Sequence, residues 1–247
     1  MATAPLHPHR MRPDMNANPA ASQAEHENAS RLAQLAAAAS TLGLNLSSAT
    51  LQRLMEYLGL LQRWNKVYNL TALRGPDEML SHHLIDCLAA LPALRRQVAS
   101  LESGPVRILD VGSGGGLPGV VFAVVQPDWQ VSCVDTVAKK SSFIRQVTAE
   151  LRLGNLRGLH SRVENLDPDD DRYSVIASRA FASLADFTAL SLHLLADQGV
   201  WMAMKGRDPQ DEQAQLAPGV QVFHVEQLQV PGLDAQRCLV WMRRAPL

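Results

Sequence analysis

From Val106 to Gly119 the chain reads Val-Arg-Ile-Leu-Asp-Val-Gly-Ser-Gly-Gly-Gly-Leu-Pro-Gly. A short apolar run that stops in glycine predicts a buried strand, a turn and then a helix with Pro118 near its first turn. Such a turn lets a ligand approach the backbone closely, and the carboxyl end of a strand is where open α/β sheets bind ligands. The pattern then repeats. Strand-like runs at Val106–Val111, Gln130–Asp135, Leu156–His160, Ser174–Ala177 and Val200–Met204 alternate with helix-length amphipathic stretches, which predicts a doubly wound, mostly parallel sheet. Val220–Val230 and Arg237–Arg243 are separated by a short stretch that opens Pro231-Gly232-Leu233-Asp234. That is too short for a crossover helix, so an antiparallel C-terminal hairpin at the sheet edge is expected.

Ahead of the sheet, residues 31–100 read as a helical unit. Leu51, Leu54, Leu58 and Leu61 form one apolar stripe behind a Ser47-Ser48 cap. Gly75-Pro76-Asp77-Glu78 marks a second helix start, expected to run to about Leu91, before Pro92. Residues 1–30 are poor in large apolar side chains and read as a disordered tail, and residues 101–247 as the sheet domain. With 23 Lys and Arg against 24 Asp and Glu, bulk charge points to neither nucleic acid nor membrane. Cys87, Cys133 and Cys238 form no disulfide framework or zinc-ligand spacing, so no metal is expected. No apolar run reaches the roughly 20 residues of a membrane span, and no signal peptide opens the chain. A cytoplasmic protein with no membrane partner is expected.

The loop admits more than one reading. Gly114, Gly116 and Gly119 satisfy G-x-G-x-x-G, with Asp135 19 residues after Gly116, as in a dinucleotide site. Yet Asp110, Gly112, Gly114 and Gly116 also read D-x-G-x-G-x-G. A carboxylate at the strand end repels a pyrophosphate and attracts a cationic amine or sulfonium, which favours S-adenosylmethionine over NAD. Asp135, ending the second strand, is placed to accept ribose hydroxyls through charge-assisted hydrogen bonds. A purely structural glycine turn with a capping acid stays open beside these readings.

Five ordered blocks carry a resemblance: Trp64-Asn65-Lys66-Val67-Tyr68-Asn69-Leu70-Thr71; Pro76-Asp77-Glu78-Met79-Leu80 with His83 and Asp86; Asp110 to Gly119; Ser161-Arg162-Val163-Glu164; and Ser178 to Leu184, followed by Met204-Lys205-Gly206. In these the chain resembles the RsmG (GidB) family, bacterial methyltransferases that place a methyl on guanine N7 in 16S rRNA, at the position called 527 in the usual rRNA numbering. The resemblance implies a class I, Rossmann-like methyltransferase fold using S-adenosylmethionine. Cofactor contacts are implied at Gly112 and Leu117, at Val163 and Glu164 around adenine, and at Arg179, which positions cofactor or guanine. It implies 16S rRNA, the 30S subunit or an assembly intermediate as partner, and a role in rRNA processing. A small-molecule methyltransferase and a catalytically silent ribosome-binding module are the rival readings.

The residues fit N7 chemistry. No cysteine has the setting of a covalent base methylase, and the Asn/Asp-Pro-Pro-aromatic block of amine methylases is absent, since the chain reads Ser178-Arg179-Ala180-Phe181. Guanine N7 already carries an in-plane lone pair, so alignment suffices and no catalytic base is assigned. His83 is a candidate for lining the substrate pocket and Lys205, at a strand end, for substrate contact. For RNA phosphates, residues 131–165 hold six cations, among them Lys139, Lys140 and Arg145, against three acids. Residues 166–172 reverse the balance with four aspartates against one arginine.

Overall fold

The computed structural model describes residues 19–101, 104–168, 172–179, 181 and 183–246. Its strands are β1 (Arg107–Val111), β2 (Gln130–Asp135), β3 (Leu156–His160), β4 (Tyr173–Arg179), β5 (Leu195–Lys205), β6 (Val220–Leu228) and β7 (Arg237–Arg244). They form one sheet in the order β3-β2-β1-β4-β5-β7-β6. Pairing is parallel from β3 through β5 and antiparallel at β5–β7 and β7–β6. The chain winds outward from β1 to β3 and returns to β4 on the other side of β1. The carboxyl ends of β1 and β4 therefore flank a topological switch point, the crevice where such sheets bind ligands.

The helices are α1 (Pro19–Thr41), α2 (Ser48–Tyr68), α3 (Pro76–Met79), α4 (Asp86–Ala99), α5 (Gly119–Val125), α6 (Ala138–Glu150), α7 (Leu184–Ser191) and α8 (Gln210–Gln213). Ser47 caps α2 by accepting from the Thr50 N–H at 3.1 Å. Between α3 and α4 the chain winds as a π-helix over Leu80–Ile85, the segment that carries His82 and His83. α1 to α6 cover one face of the sheet. Their Leu35, Tyr57, Met79, Leu91, Phe122 and Phe143 share a core with Ile108, Val131 and Val175 of the strands. The opposite face packs Leu109, Ile176, Trp201 and Val240 beneath Leu184 and Phe187 of α7.

Two boundaries differ from the sequence reading. The tail expected over residues 1–30 is helical from Pro19 on, while residues 1–18 lie outside the described residues. Residues 22–30 are exposed, so they lack a core, as their composition says. Helix-favouring Ala and Glu and the i,i+4 contacts Gln23–Glu27 and Glu27–Arg31 sustain the helix instead. The helix expected to stop before Pro92 continues through it to Ala99. An internal proline costs about 3 kcal/mol, but Ala93 and Leu94 beyond it are buried, and burial of a single leucine is worth about 1.5–3 kcal/mol.

Candidate active site

The glycine loop turns sharply after β1, with Gly112, Gly114 and Gly116 at φ of 67°, 57° and 88°. These left-handed values favour glycine. α2 clamps the turn from outside, where the Tyr57 hydroxyl donates to the Gly115 carbonyl at 2.6 Å.

Backbone donors decide what such a loop can hold. The N–H groups of Gly112 and Ser113 donate to the Val134 carbonyl, and those of Gly116 and Leu117 to the Ser113 carbonyl. The Gly114 N–H donates to Asp135 Oδ2 at 3.0 Å, and the Gly119 N–H, opening α5, donates to Asp110 Oδ2 at 2.8 Å. A pyrophosphate would need those same donors. With Asp110 seated on the helix N-terminus, the position a phosphate would take is already held by a carboxylate. The dinucleotide reading of the glycines therefore does not fit the geometry, and a phosphate-free cofactor does.

Asp110 was expected to face a cationic ligand directly. It is instead 0% exposed behind the loop, with Oδ1 buried and without a hydrogen-bond partner. Burial pushes its carboxyl up to about 7, against the opposing influence of the Gly119 N–H and Arg179. Gly114 is turned into the Asp135 contact, and Leu117 is buried in the core beneath α5.

Beyond the loop a cavity of about 370 Å³ opens at the carboxyl ends of β1, β2 and β3. Gly112, Asp135, Val163 and Glu164 line it as expected, together with Lys140 and Arg162. A methyl placed on Gly112 would meet only Phe181, at 3.7 Å, so the bare backbone faces the opening. Asp135, 6% exposed, accepts from the Val137 N–H on Oδ1 at 2.9 Å and from Gly114 on Oδ2. Lys140 Nζ, assigned to RNA from the sequence, stands 3.3 Å from the same Oδ2. It is a wall residue of this cavity. Glu164 pairs with Arg162 at 3.2 Å, and its own backbone N–H is first among the contacts that hold its carboxyl below the usual range. Val137 and Leu190, 43% and 36% exposed, put bare aliphatic surface on the wall. Sequence reasoning missed both, although Val137 lies just two residues beyond Asp135.

A second cluster lies at the end of β4. Arg179 NH1 donates to the His82 carbonyl at 2.9 Å and lies 3.4 Å from Asp86 Oδ2, while NH2 lies 3.3 Å from His83 Nδ1. His83 Nδ1 lies between that guanidinium and the His82 carbonyl, 3.1 Å away, and Nε2 lies 2.8 Å from Thr71 Oγ1. Burial, and next the Arg179 charge, lower the His83 pKa to about 4, so the ring is neutral near pH 7. The buried Asp86 also holds Arg237 at 2.9 Å, across 151 residues of chain. The sequence shows no local signal for that partner.

The remaining expected contacts are dispersed. Lys139 Nζ lies 5.4 Å from the centre of the Tyr68 ring, and Arg145 donates to Ser142 at 3.0 Å. Lys205 Nζ is paired with Glu212 at 2.9 Å, and Glu212 also accepts from the Leu184 N–H that opens α7. Among the described residues no cluster of three metal-ligating side chains occurs, and no helix is long and apolar enough to cross a membrane.

Among solved structures, TrmN from Thermus thermophilus aligns with a TM-score of 0.50 at 20% identity, covering 67% of this chain and 53% of that one. The cyclase SpnF aligns at 0.51 and 15% identity, covering 64% and 80%. These likenesses show the Rossmann-like fold expected from the sequence, and the second shows that the fold alone does not fix the chemistry. Sequence relatives are far nearer. The ribosomal RNA small subunit methyltransferase G of Paracidovorax citrulli is 59% identical over 219 residues, 85% of this chain and 89% of the relative. That of Leptothrix cholodnii is 61% identical over 209 residues, 85% and 94%. The family model described as rRNA small subunit methyltransferase G matches residues 50–240. It spans α2, the glycine loop, both clusters and the sheet as far as β7, so the chain belongs to the rRNA small subunit methyltransferase G (GidB) family.

Proposed function

We propose that this chain methylates N7 of a guanine in 16S rRNA with S-adenosylmethionine, acting on the 30S subunit or an assembly intermediate. The observation that carries the reading is the family match over residues 50–240. The donor set fits the cofactor, because the N–H groups of Gly112, Ser113, Gly114, Gly116 and Leu117 are spent on the protein and Asp110 covers the start of α5. When bound, S-adenosylmethionine supplies a methyl group on a sulfonium. Asp135 receives the ribose hydroxyls, and the bare backbone at Gly112 leaves room for the cofactor. Val137, Val163 and Leu190 flank the adenine, and Glu164 accepts from its amino group. Asp110, Gly114 and Leu117 act by fixing the loop.

A carboxylate has about four acceptor positions. Asp135 already receives Gly114, Val137 and Lys140, so two ribose hydroxyls bring five donors to four positions. The two backbone donors are fixed. Lys140, on a flexible stem, is the donor that yields, and it then joins Lys139 and Arg145 in facing RNA phosphates. Arg179 and the neutral His83 line the acceptor side, and Lys205 reaches substrate once it leaves Glu212. No side chain has to remove a proton, because the attacking lone pair of N7 bears none, and positioning carries the reaction.

The test is methyl transfer to 30S subunits lacking the modification, with naked 16S rRNA as a second arm and the modified nucleotide mapped. A single N7-methylguanine is expected, with subunits preferred over naked rRNA. Absence of transfer by folded, cofactor-bound protein, or a methyl on another atom, would overturn the reading.

A further inference from the structure

The end of α2 meets the start of α6 beside the cofactor cavity, and their juxtaposition makes a surface that the reaction chemistry does not use. From Tyr57 to Gly75 the chain carries Arg63, Lys66 and Arg74 and no acid; from Thr136 to Ala149 it carries Lys139, Lys140 and Arg145 and again no acid. The fold brings the two stretches together, with Glu150, one residue past the second, 3.9 Å from Arg63. The Trp64 ring centre lies 5.4 Å from that of Phe143 on α6 and 4.9 Å from that of Tyr68, and the Lys139 ammonium lies over the Tyr68 ring.

Apolar surface is left in water at the same place. Val67 is 67% exposed, the most of any large apolar residue among the described residues, and Tyr68 is 42% exposed. Val67 lies off the stripe of Leu54, Leu58 and Leu61 by which α2 packs into the core, while Tyr68 continues that stripe one heptad past Leu61 and is left in water at the helix end. The position is close to both halves of the site. Lys139 adjoins Lys140 on the cavity wall, and Tyr68 precedes by three residues Thr71, whose hydroxyl meets His83. Three residues of chain span at most about 10 Å.

We propose that Tyr68 is a stacking platform for an unpaired base of the rRNA substrate, with Lys66 and Lys139 on the adjoining phosphates. This rests on the RNA-methyltransferase reading above and adds a contact that the transfer step does not require. An aromatic ring beside cations is the pairing that holds single-stranded nucleic acid, since every base has a π-face and every nucleotide a phosphate. A duplex hides those faces in its stack. Lys139 covers the ring with a contact that, at an exposed site, is weaker than a base–aromatic stack. An incoming base therefore takes the ring, and the ammonium moves to a phosphate.

The experiment uses the full chain, with a single-stranded RNA oligonucleotide and a blunt duplex of equal length as probes, titrated against wild type, Tyr68→Phe and Tyr68→Leu. Tyr68→Leu should weaken single-strand binding by about 5- to 150-fold. Duplex affinity, the salt dependence of binding, S-adenosylmethionine affinity and the melting temperature should stay as in wild type, and Tyr68→Phe should match wild type throughout. Single-strand affinity of Tyr68→Leu within twofold of wild type would overturn the proposal, as would equal losses on both probes or a loss in Tyr68→Phe. Wild-type methyl transfer to 30S subunits, run alongside, tests the parent reading separately. Transfer at guanine N7 with no Tyr68→Leu defect sinks the platform and leaves the function standing.

Discussion

Asp135→Asn is the substitution that the geometry makes most informative, because the side chain keeps its shape while losing one acceptor and the charge. Oδ1 holds the Val137 N–H at 2.9 Å and Oδ2 the Gly114 N–H at 3.0 Å. An amide satisfies one of these and turns its own N–H₂ on the other. A buried donor left without a partner costs about 1–3 kcal/mol, which in a protein of this size lowers the melting temperature by roughly 2–12 °C. The cofactor loses more specifically. Each ribose hydrogen bond to an ionised carboxylate is worth about 1.5–3 kcal/mol, so losing one weakens S-adenosylmethionine by about 10- to 150-fold. Isothermal titration of the folded variant at a temperature well below its transition measures this. Lys140→Met is the companion variant: it removes the donor that has to move aside, and cofactor affinity should hold or rise. Affinity of folded Asp135→Asn within about threefold of wild type would refute the ribose assignment. A Lys140→Met loss as large as that of Asp135→Asn would show the lysine touching cofactor itself.

Neutralising Lys139, Lys140 and Arg145 together should weaken RNA binding and flatten its salt dependence by up to about 0.7–0.9 per lost phosphate contact; an unchanged slope of log affinity against log salt would remove them from the RNA face. With His83 titrating near 4, the single-turnover transfer rate at saturating ligands should be flat from about pH 6 to 8.5 in both wild type and His83→Gln. A tenfold-per-unit rise surviving in His83→Gln would mean an obligatory base. Stability should carry two opposed pH terms. Asp110, raised from 3.8 to about 7, contributes stability that is present below 3.8 and lost as pH rises toward 7, whereas His83, lowered from 6.5 to about 4, contributes stability that is present above 6.5 and lost as pH falls toward 4. Urea unfolding at pH 5 and 6 should therefore show the slope of stability against pH falling by up to about 1.4 kcal/mol per unit in His83→Gln relative to wild type; an unaltered slope would contradict the buried, neutral ring.

The parallel strands were legible because each is a run of apolar residues ended by a turn, and β2 and β3 begin and end where the pattern puts them. β5 begins at Leu195, earlier than expected, because Asp197 and Gln198 inside it are exposed and break the apolar run at a bulge, where the register with β4 jumps from Tyr173–Leu195 to Val175–Val200. The acid–glycine–acid signature led to the cavity, since Gly112 and Asp135 lie on its wall, and the family resemblance added Val163 and Glu164 beside them. What it could not tell was direction. A carboxylate at a strand end can face the cavity, as Asp135 does, or turn beneath the loop onto α5, as Asp110 does, and only packing decides. Charged residues were the least legible. Lys140 and Lys205 read as free cations in sequence, yet each has an intramolecular carboxylate partner supplied by the fold. The Asp86–Arg237 contact joins segments that no local pattern connects.

The electrostatics of the second cluster bear on what Arg179 is for. One carboxylate, Asp86, is paired with two guanidinium groups, Arg179 and Arg237, and the charge of Arg179 is also felt by the buried Asp110. Arginine has five N–H donors, and Arg179 turns three toward the His82 carbonyl, Asp86 and His83 Nδ1. Two remain. The commonest way for an arginine to read guanine is a fork to O6 and N7 together, but such a fork would occupy the lone pair that has to attack the methyl group. If N7 is the acceptor, the free donors of Arg179 are restricted to the cofactor carboxylate or to O6 alone. The fixed contacts to His82, His83 and Asp86 then make sense as a mount that keeps the guanidinium from swinging onto N7.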